Sequence, residues 1–335
     1  MIALYTLCSH NYVDQLMSAM PEMKRVRFRH LVKSLLGSTP PDAIHIQFLI
    51  KQYEFILILL LSKLRRVPIV WTPHDAHVEH DERYAYSFFP FFLWLTDAIV
   101  ALSHYEKKTL VQRGIPAEKI HVIPYPNANF WRTYTVPKTR ARKYLGIPMG
   151  KTVFLQFGPI LPYKGFDVSS NAFNHLTDML KNKSRLVFGG KILDQKHFES
   201  IRQETDTKYC LAHRYLTNKE VGILYSAADV ILYPYRAINQ SGAIYDALAF
   251  GKASIATKAG GIPEVIQNRR ESILLTDTNK NFTSAMATCI RYPALVKHMG
   301  QNATKNSNRL SWQDTANDHR KIYHMLAITN NHEHQ

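Results

Sequence analysis

Short runs of apolar residues alternate along this chain with longer stretches in which apolar residues recur at helical spacing. In the first half the pattern predicts strands at the N-terminus and at residues 43–48, 67–72, 98–102 and 121–123, and helices at residues 52–64, 83–95 and 104–113. In the second half it predicts strands at residues 153–157, 185–188, 230–233 and 253–256, with helices beginning after residues 167, 218 and 241. Continuous Val- and Ile-rich strands separated by helices are typical of a parallel sheet covered on both faces. Each half is therefore predicted to be a Rossmann-like, doubly wound α/β domain.

The length of 335 residues favours two domains, because it exceeds what one hydrophobic core usually organises. The Pro-, Lys- and Arg-rich stretch at 124–148 is interpreted as a hinge, which gives domains at residues 1–135 and 136–310. Residues 311–327 are expected to form a helix that crosses back to the first domain, before a tail at 328–335. Alternatively this helix is an ordinary part of the second domain.

Since ligands bind beyond the carboxyl ends of strands in open α/β sheets, two such domains facing each other would offer sites for two substrates.

The charge balance favours an anionic partner, because 42 Lys and Arg against 26 Asp and Glu give a net charge of +16. Phosphorylated ligands and anionic lipids fit this charge. Nucleic acid is not expected, since no nucleic-acid-binding motif is found and the basic residues are spread over both halves. The longest apolar run, at 55–61, has seven residues, whereas a membrane-spanning helix needs about 20. Three widely spaced cysteines and an N-terminus without signal-peptide features indicate a cytoplasmic location.

A candidate phosphate site lies in the sequence FGPILPYKG at 157–165. Gly158 forms a turn at the end of a predicted strand, and Lys164 stands where the next helix begins. Helix N-termini bind anions through their unpaired N–H groups and their dipole, and an adjacent ammonium adds positive charge. The alternative is a solvated lysine beside a turn.

Residues 227–266 are predicted to form a strand, a polar loop, a helix, a second strand and a Gly-Gly turn within forty residues. Their sequence is AADVILYPYRAINQSGAIYDALAFGKASIATKAGGIPEVI. This segment resembles the donor-binding half of the retaining group 1 glycosyltransferases, the large family that contains sucrose synthases and many bacterial mannosyl-, glucosyl- and glucuronosyltransferases. The resemblance runs from about residue 43 to 266 and is strongest after residue 153. It implies a GT-B fold and transfer from a UDP- or GDP-sugar with retention of configuration. It implies neither a metal nor another cofactor.

The resemblance assigns roles to the donor-side residues of this chain. Asp246 occupies the family's second acidic position, where the carboxylate would hold the ribose hydroxyls of the donor. The first acidic position is Ile238, and the arginine expected five residues before Lys164 is Pro159. Polar groups of the loop before the helix would face the diphosphate and sugar in place of these charges. The implied donor-binding set is Gly158, Lys164, Asn239, Gln240, Ser241, Gly242, Asp246 and Glu264.

The acceptor side is predicted around the sequence VPIVWTPHD at 67–75. His74 follows a buried strand, at the place where the family sets a histidine against the transferred sugar, and is interpreted with Lys164 as a catalytic residue. Asp75 and His77 are further acceptor-side candidates. The histidines at 74, 77 and 80 also raise the alternative of a metal site, but no second ligand cluster is evident and no metal is expected.

A basic segment at 22–33 has the composition of a surface that settles on anionic lipids, through Lys24, Arg25, Arg27, Arg29 and Lys33. The aromatic run YSFFPFFLWL at 86–95 offers contacts for lipid. A solvated helix face and a buried core element are the respective alternatives. Together these segments favour a peripheral enzyme on the inner face of the membrane, acting on a glycan or lipid-linked acceptor in the synthesis of cell-surface polysaccharide or glycolipid.

Three other functions compete with sugar transfer. A non-catalytic, glycosyltransferase-like binding subunit is suggested by Ile238 and Pro159. A sugar-nucleotide 2-epimerase shares the fold but needs acid and base groups that the sequence does not place. A dinucleotide-dependent oxidoreductase would need a Gly-x-Gly-x-x-Gly turn after an early strand, which the chain lacks.

Overall fold

The computed structural model describes residues 1–6, 11–48, 51–74, 89–202, 208–212, 214–276 and 281–332. The chain divides into two compact units, and each has its own sheet. Unit 1 comprises Met1–Pro126 and Ser311–Gln335, and unit 2 comprises Asn127–Leu310. The prediction of two parallel-sheet α/β domains is confirmed.

The sheet of unit 1 has six parallel strands in the order β2-β1-β3-β4-β5-β6. Its strands are β1 (Ile2–Tyr5), β2 (Met23–Val26), β3 (Ala43–Gln47), β4 (Ile69–Thr72), β5 (Ala98–Ala101) and β6 (Ile120–Val122). All residues of β1, β3, β4 and β5 are buried. Burial on both faces explains why these strands are continuous apolar runs in the sequence.

Six described helices cover this sheet: α1 (Asn11–Ala19), α2 (Phe28–Leu36), α3 (Gln52–Arg65), α4 (Phe89–Leu95), α5 (His104–Gln112) and α15 (Trp312–His332). Right-handed crossovers place α2, α3, α4 and α5 on one face, while α1 and α15 pack together. Ser103 caps α5 by accepting a hydrogen bond from the backbone N–H of Glu106.

The sheet of unit 2 also has six parallel strands, in the order β12-β11-β10-β7-β8-β9. Its strands are β7 (Thr152–Phe157), β8 (Ser184–Lys191), β9 (Lys208–Ala212), β10 (Val230–Tyr233), β11 (Ala253–Thr257) and β12 (Ser272–Leu275). Its helices are α6 (Lys138–Leu145), α7 (Phe166–Asn174), α8 (Asp178–Asn182), α9 (Gln195–Arg202), α10 (Asn218–Ala227), α11 (Gly242–Ala249), α12 (Ile262–Val265), α13 (Phe282–Arg291) and α14 (Pro293–Ser307).

The boundary between the units differs from the expected one. Residues 127–135, which the sequence pattern assigns to the first domain, belong to unit 2, and so does the stretch at 136–148. Arg142 in α6 is buried, and its guanidinium donates to the carbonyl oxygens of Ala227, Met149 and Lys151 and to the Asp229 carboxylate. The basic composition of this stretch therefore includes a buried arginine that is engaged by several acceptors.

Three strands were not predicted, namely β2, β9 and β12, and all three lie at a sheet edge. The basic segment at 22–33 divides into the edge strand β2 and the start of α2. Its five basic side chains, Lys24, Arg25, Arg27, Arg29 and Lys33, are all exposed. A strand with a single neighbour and one wet face lacks the continuous apolar pattern of an inner strand.

Helix α15 is longer than expected, since it continues to His332, and it contributes buried polar side chains to unit 1. The Tyr323 hydroxyl lies 2.5 Å from His45 Nδ1, and Arg320 pairs with Glu22. His319 is fully buried, and its Nδ1 donates to the Thr315 carbonyl oxygen at 2.8 Å. None of the helices in the described ranges is both long and apolar enough to cross a membrane.

Because His319 is buried, we expect the free energy of unfolding to decrease at acidic pH. Burial lowers the pKa of His319 to about 4, so the folded protein stays neutral at this site while the unfolded chain takes up a proton below pH ~6.5. Stability should fall as the pH drops from about 6.5 towards 4, by up to about 3 kcal/mol from this group. Urea denaturation at about pH 7 and about pH 5, followed by circular dichroism, measures the change.

A His319→Phe variant should lose part of this pH dependence. The exposed His298 in unit 2 provides the matched control, and His298→Asn should retain the wild-type pH dependence. An equal pH dependence in His319→Phe and the wild type would contradict the assignment to His319.

Candidate functional site

Three loops of unit 2 lie side by side because they follow three neighbouring parallel strands. The loop at 158–165 follows β7, the loop at 234–241 follows β10, and the loop at 258–261 follows β11. Since β11, β10 and β7 are adjacent in the sheet, their carboxyl ends open on one edge. This is the edge at which open α/β sheets bind ligands.

Gly158 and Lys164 form the first part of this site. Gly158 has φ +135°, and a Cβ atom on it would lie 3.0 Å from Lys164 Nζ. The Lys164 side chain is buried, its carbonyl oxygen accepts from Gln156 Nε2 at 2.7 Å, and its Nζ lies 5.2 Å from the centroid of the Tyr235 ring. The alternative of a solvated lysine is therefore wrong for Lys164.

The polar loop after β10 is held by the Gly-Gly turn after β11. Gly261 N donates to the carbonyl oxygen of Asn239 at 2.9 Å. Gly260 has φ +53°, and a Cβ atom on it would overlap the Ile238 carbonyl oxygen. Ile238 and Asn239 are both buried. Backbone contact between the two loops therefore fixes the approach to helix α11.

Ser241 and Gly242 begin helix α11. Ser241 is its N-cap residue, although its side chain accepts no capping hydrogen bond from the helix. Gln240, the preceding residue, lies close enough to the Tyr245 side chain, one turn into the helix, to act against the rise that burial causes in the pKa of Tyr245. Because α11 begins at the carboxyl end of β10, the backbone N–H groups of its first turn lie at the sheet edge that Lys164 also borders.

Asp246 lies on the second turn of α11, and its carboxylate is shielded from water. Trp131 Nε1 donates to its Oδ1 at 2.7 Å. Burial raises the pKa of Asp246 to about 7, although the Trp131 hydrogen bond and the positive charge of Lys164 both act to lower it. Asp246 and Lys164 are thus close enough to interact, and the carboxyl group is poised between its protonated and ionised forms near neutral pH.

Glu264 lies on the short helix α12, just after the Gly-Gly turn, and its side chain is exposed. Its backbone N–H donates to the Gly261 carbonyl oxygen at 3.1 Å, and its charge contributes to the raised pKa of Tyr245 after the dominant effect of burial. Glu264 is therefore near the start of α11. The eight donor-side residues named from the sequence are all brought to this edge of unit 2.

Two residues of the site were missed by sequence reasoning. Trp131 was assigned to a hinge, although a tryptophan in a linker is itself a sign of packing. Arg236 was overlooked within the polar loop, where it pairs with both carboxylate oxygens of Asp167 and donates to the Pro162 carbonyl oxygen at 2.5 Å. Because its guanidinium joins the two loops in this way, Arg236 does not replace the arginine absent at Pro159.

His74 belongs to unit 1 and follows β4. Its backbone has φ +61°, and its ring stacks on Phe48 at 3.9 Å and meets Tyr12 edge-on at 4.8 Å. His74 Nε2 hydrogen-bonds to Gln47 Oε1. A non-glycine residue in the left-handed region is uncommon and is held here by these contacts.

A buried polar chain continues from Gln47 into the core of unit 1. His45 Nε2 lies 3.0 Å from Gln47 Nε2 and 2.8 Å from Thr72 Oγ1. Burial lowers the pKa of His45 well below its ordinary value. Asp75, His77 and the histidine at 80 lie outside the described residues, and within the described ranges no group of three metal-binding side chains is found.

The fold of both units is shared with several solved structures. Anabaena Alr3699/HepE in complex with UDP-glucose matches with a TM-score of 0.77 and 15% identity, over 96% of this chain and 99% of that one. WaaG, a glycosyltransferase involved in lipopolysaccharide biosynthesis, matches with a TM-score of 0.69 and 12% identity, over 96% and 99% of the two chains. The fold is GT-B.

The chain belongs to the family of glycosyl transferases group 1, whose family model matches residues 137–306. The model of Glycosyltransferase Family 4 matches residues 13–126. A D-inositol 3-phosphate glycosyltransferase of Xylanimonas cellulosilytica is 23% identical over 66% of this chain and 55% of its own length. An uncharacterized glycosyltransferase of Methanocaldococcus jannaschii is 23% identical over 95% of this chain and 87% of its own. The chain thus spans about half the length of the inositol-phosphate glycosyltransferases it matches.

A Gly260→Ala substitution should destabilise the site and unit 2. The added Cβ would meet the Ile238 carbonyl oxygen, and the positive φ adds strain, so we expect a loss of more than about 2 kcal/mol in the free energy of unfolding. Urea denaturation measures the loss. Gly150→Ala is the matched control, because a Cβ atom there meets nothing within 4 Å, and it should leave stability nearly unchanged. Equal stability of the two variants would contradict the close approach of the loops.

Proposed function

We propose that this chain transfers a sugar from a nucleoside-diphosphate sugar, with retention of configuration, to a glycan or lipid-linked acceptor in the synthesis of cell-surface polysaccharide or glycolipid. The observation that carries the proposal is the convergence of Lys164, the N-terminus of α11 and Asp246 on one sheet edge of unit 2. A cation, a row of backbone donors and a carboxylate are the groups that a diphosphate and a ribose require. Membership of the group 1 family supports the same reaction class.

The diphosphate would be bound by Lys164 and by the backbone N–H groups at Ser241 and Gly242. Both are fixed before a ligand arrives, since Lys164 packs beside Tyr235 and the loop before α11 is pinned by the Gly-Gly turn. Preorganised donors stabilise the negative charge that develops as the nucleoside diphosphate leaves. Departure of this group is the step that Lys164 would assist as a catalytic residue, and no metal or other cofactor is proposed.

The ribose hydroxyls would donate to the Asp246 carboxylate, whose Oδ1 is oriented by Trp131. Asn239, Gln240 and Glu264 would complete the contacts to the donor, as the family resemblance implies. UDP is the first nucleotide to test, because the similar Anabaena structures contain UDP, glucose and UDP-glucose. GDP-sugars are also proposed as donors.

On the acceptor side, we propose that His74 contacts the transferred sugar. Its ring is held in one orientation by contacts with Gln47, Phe48 and Tyr12. A fixed ring suits a residue that positions the sugar. Asp75 and His77 remain predicted acceptor-side residues. Attack of the acceptor hydroxyl on the face from which the diphosphate leaves would retain the anomeric configuration.

The enzyme is proposed to act in the cytoplasm, at the inner face of the membrane. The exposed Lys24, Arg25, Arg27, Arg29 and Lys33 would attract an anionic lipid surface, which concentrates a lipid-linked acceptor. Inositol phosphate belongs among the acceptors to be tested, because the Xylanimonas relative is named a D-inositol 3-phosphate glycosyltransferase.

A Lys164→Ala variant should lose sugar transfer. Removing the ammonium group takes away charge stabilisation of the leaving diphosphate, and we expect kcat to fall by about 10²–10³. Transfer or hydrolysis of labelled UDP- and GDP-sugars measures the effect, with EDTA present to test metal independence. Lys219→Ala, an exposed lysine on α10, is the matched control and should keep full activity. Absence of binding and turnover across the whole panel would refute the proposal.

Nucleotide-sugar affinity should depend on pH through Asp246. Ribose hydroxyls donate to the ionised carboxylate, whereas the free protein holds a proton on Asp246 below pH about 7. The Kd for UDP-glucose should therefore increase roughly tenfold for each unit by which the pH falls below 7, and it should be constant above pH 7. Calorimetric titration measures Kd, and a diphosphate diester does not itself titrate in this range.

Asp246→Asn should bind more weakly near pH 8 and should lose the pH dependence, since the amide cannot ionise. A wild-type Kd that is flat between about pH 5.5 and 8 would contradict the proposed ribose contact, whether or not the enzyme is active.

A non-catalytic binding subunit is the second candidate, and Ile238 is the observation that favours it. Its buried side chain stands where the family places a carboxylate, and Pro159 leaves Lys164 without the family's second cation. This candidate predicts that nucleotide sugars bind with the Asp246-dependent pH profile but are neither hydrolysed nor transferred.

A further inference from the structure

Helix α3 carries a stripe of large apolar side chains on its solvent-facing side. Five residues, at helical spacing, are exposed to water: Tyr53, Ile56, Leu57, Leu60 and Leu64. The most exposed are Leu60 at 63% and Leu64 at 76%. At about 100° per residue, the five side chains fall within an arc of about 100°. A surface helix of a soluble domain normally has polar residues on its solvent-facing side, whereas this side of α3 is apolar.

The neighbouring helices α2 and α4 carry exposed apolar side chains as well. Leu36 at the end of α2 is exposed, and Arg65 of α3 donates to the Gly37 carbonyl oxygen at 2.8 Å, which joins the two helix ends. Phe91 and Trp94 of α4 are also exposed. We define the apolar face as Leu36, Tyr53, Ile56, Leu57, Leu60, Leu64, Phe91 and Trp94. Exposed apolar patches of this kind mark surfaces that bind a protein or a membrane.

Helices α3 and α4 are joined by a ring contact and by an ion pair next to α4. The Phe55 and Phe92 rings lie 4.9 Å apart, and Lys63 pairs with Asp97 just beyond α4. Lys119 Nζ lies 5.5 Å from the centroid of the Trp94 ring. The face is therefore carried by packed helices of unit 1.

The rim of the apolar face is basic. Arg29, Lys33 and Leu36 are at positions i, i+4 and i+7 of α2, so two cations and one apolar residue share a side of that helix. Further exposed cations lie in the last turn of α3 and just outside its two ends: Lys51, Lys63, Arg65 and Arg66. Glu54, the acidic residue of α3, is buried and accepts a hydrogen bond from the Tyr5 hydroxyl. Helix α2 contains no acidic residue.

We propose that the apolar face of α2, α3 and α4 docks into the surface of an anionic lipid bilayer. An apolar stripe bordered by Lys and Arg is the pattern of a helix that lies in the membrane plane. The 14 residues of α3 are fewer than the about 20 needed to span a bilayer, so α3 would lie along the surface, with Trp94 at the headgroup level. A second copy of this chain fits less well, because a twofold contact through the face would bring the two basic rims together.

This inference deepens the membrane part of the proposed function, and it requires neither sugar transfer nor the donor site. It adds an inserted apolar surface to the electrostatic attraction that the basic residues at 24–33 would provide. The two contributions are separable. The attraction between the basic residues and the anionic bilayer acts mainly while the protein approaches the surface, and salt weakens it. The inserted leucines contribute through burial of their apolar surface.

The test is sedimentation of the full chain with vesicles of phosphatidylcholine alone and with about 30% phosphatidylglycerol. The wild type should bind the anionic vesicles at least tenfold more tightly than the neutral ones. A Leu60→Gln, Leu64→Gln double variant should bind at least tenfold more weakly, and should remain weak at low salt. Met179→Gln, which changes an exposed methionine of unit 2, is the matched control and should bind like the wild type.

Insertion depth gives a second readout that does not depend on the leucines. Brominated phosphatidylglycerol should quench part of the tryptophan emission, and a Trp94→Phe variant should lose that quenched part while it still binds. Circular dichroism and UDP-glucose binding establish that each variant is folded. Vesicle binding can thus be lost while nucleotide-sugar binding is retained, which separates this inference from the donor-site proposal.

Two results would overturn the inference. One is unchanged binding of anionic vesicles by the Leu60→Gln, Leu64→Gln variant. The other is a wild-type protein that is a dimer by analytical ultracentrifugation, does not bind vesicles, and becomes monomeric in the double variant. In that case a second copy, and not a bilayer, covers the apolar face.

Discussion

The backbone of residue 260 passes so close to the Ile238 carbonyl oxygen that no side chain fits at this position. This contact, with the Gly261 hydrogen bond to Asn239, joins the loop after β11 to the loop after β10. The entry angle of α11 follows from it, and so do the positions of Ser241, Gly242 and Asp246. A glycine without a side chain therefore fixes the positions of the residues that we propose bind the donor.

The proposed donor site contains few charged groups, and they are poorly solvated. Relative to the family pattern it lacks a carboxylate at Ile238 and a guanidinium at Pro159, and Arg236 is engaged by Asp167. Lys164 and Asp246 remain, and the lysine favours the ionised form of the carboxyl group. Loss of one acidic and one basic group together keeps the net charge of the site the same. Such paired loss would leave the local electrostatic potential closer to the family's than either change alone.

The sequence predicts the inner strands well because burial on both faces makes them continuous apolar runs, as in β3, β4, β10 and β11. It also indicates the loops that follow β7, β10 and β11, since the residues of one loop are contiguous. It does not reveal contacts between distant segments. The Trp131 hydrogen bond to Asp246 spans 115 residues, and Gln47 precedes His74 by 27. Edge strand β2 was missed because exposed Lys24 and Arg25 interrupt its apolar pattern.

The buried chain from His45 to His74 has a consequence for the proton on His74. An amide nitrogen only donates, so His45 Nε2 accepts from Gln47, and the neutral His45 ring carries its proton on Nδ1, towards the Tyr323 hydroxyl. The amide oxygen of Gln47 is then turned towards His74, which must carry its proton on Nε2 to donate to it. While the His74 ring is neutral, Nδ1 is therefore its accepting nitrogen. The tautomer of His74 is thus selected by a histidine inside the core of unit 1.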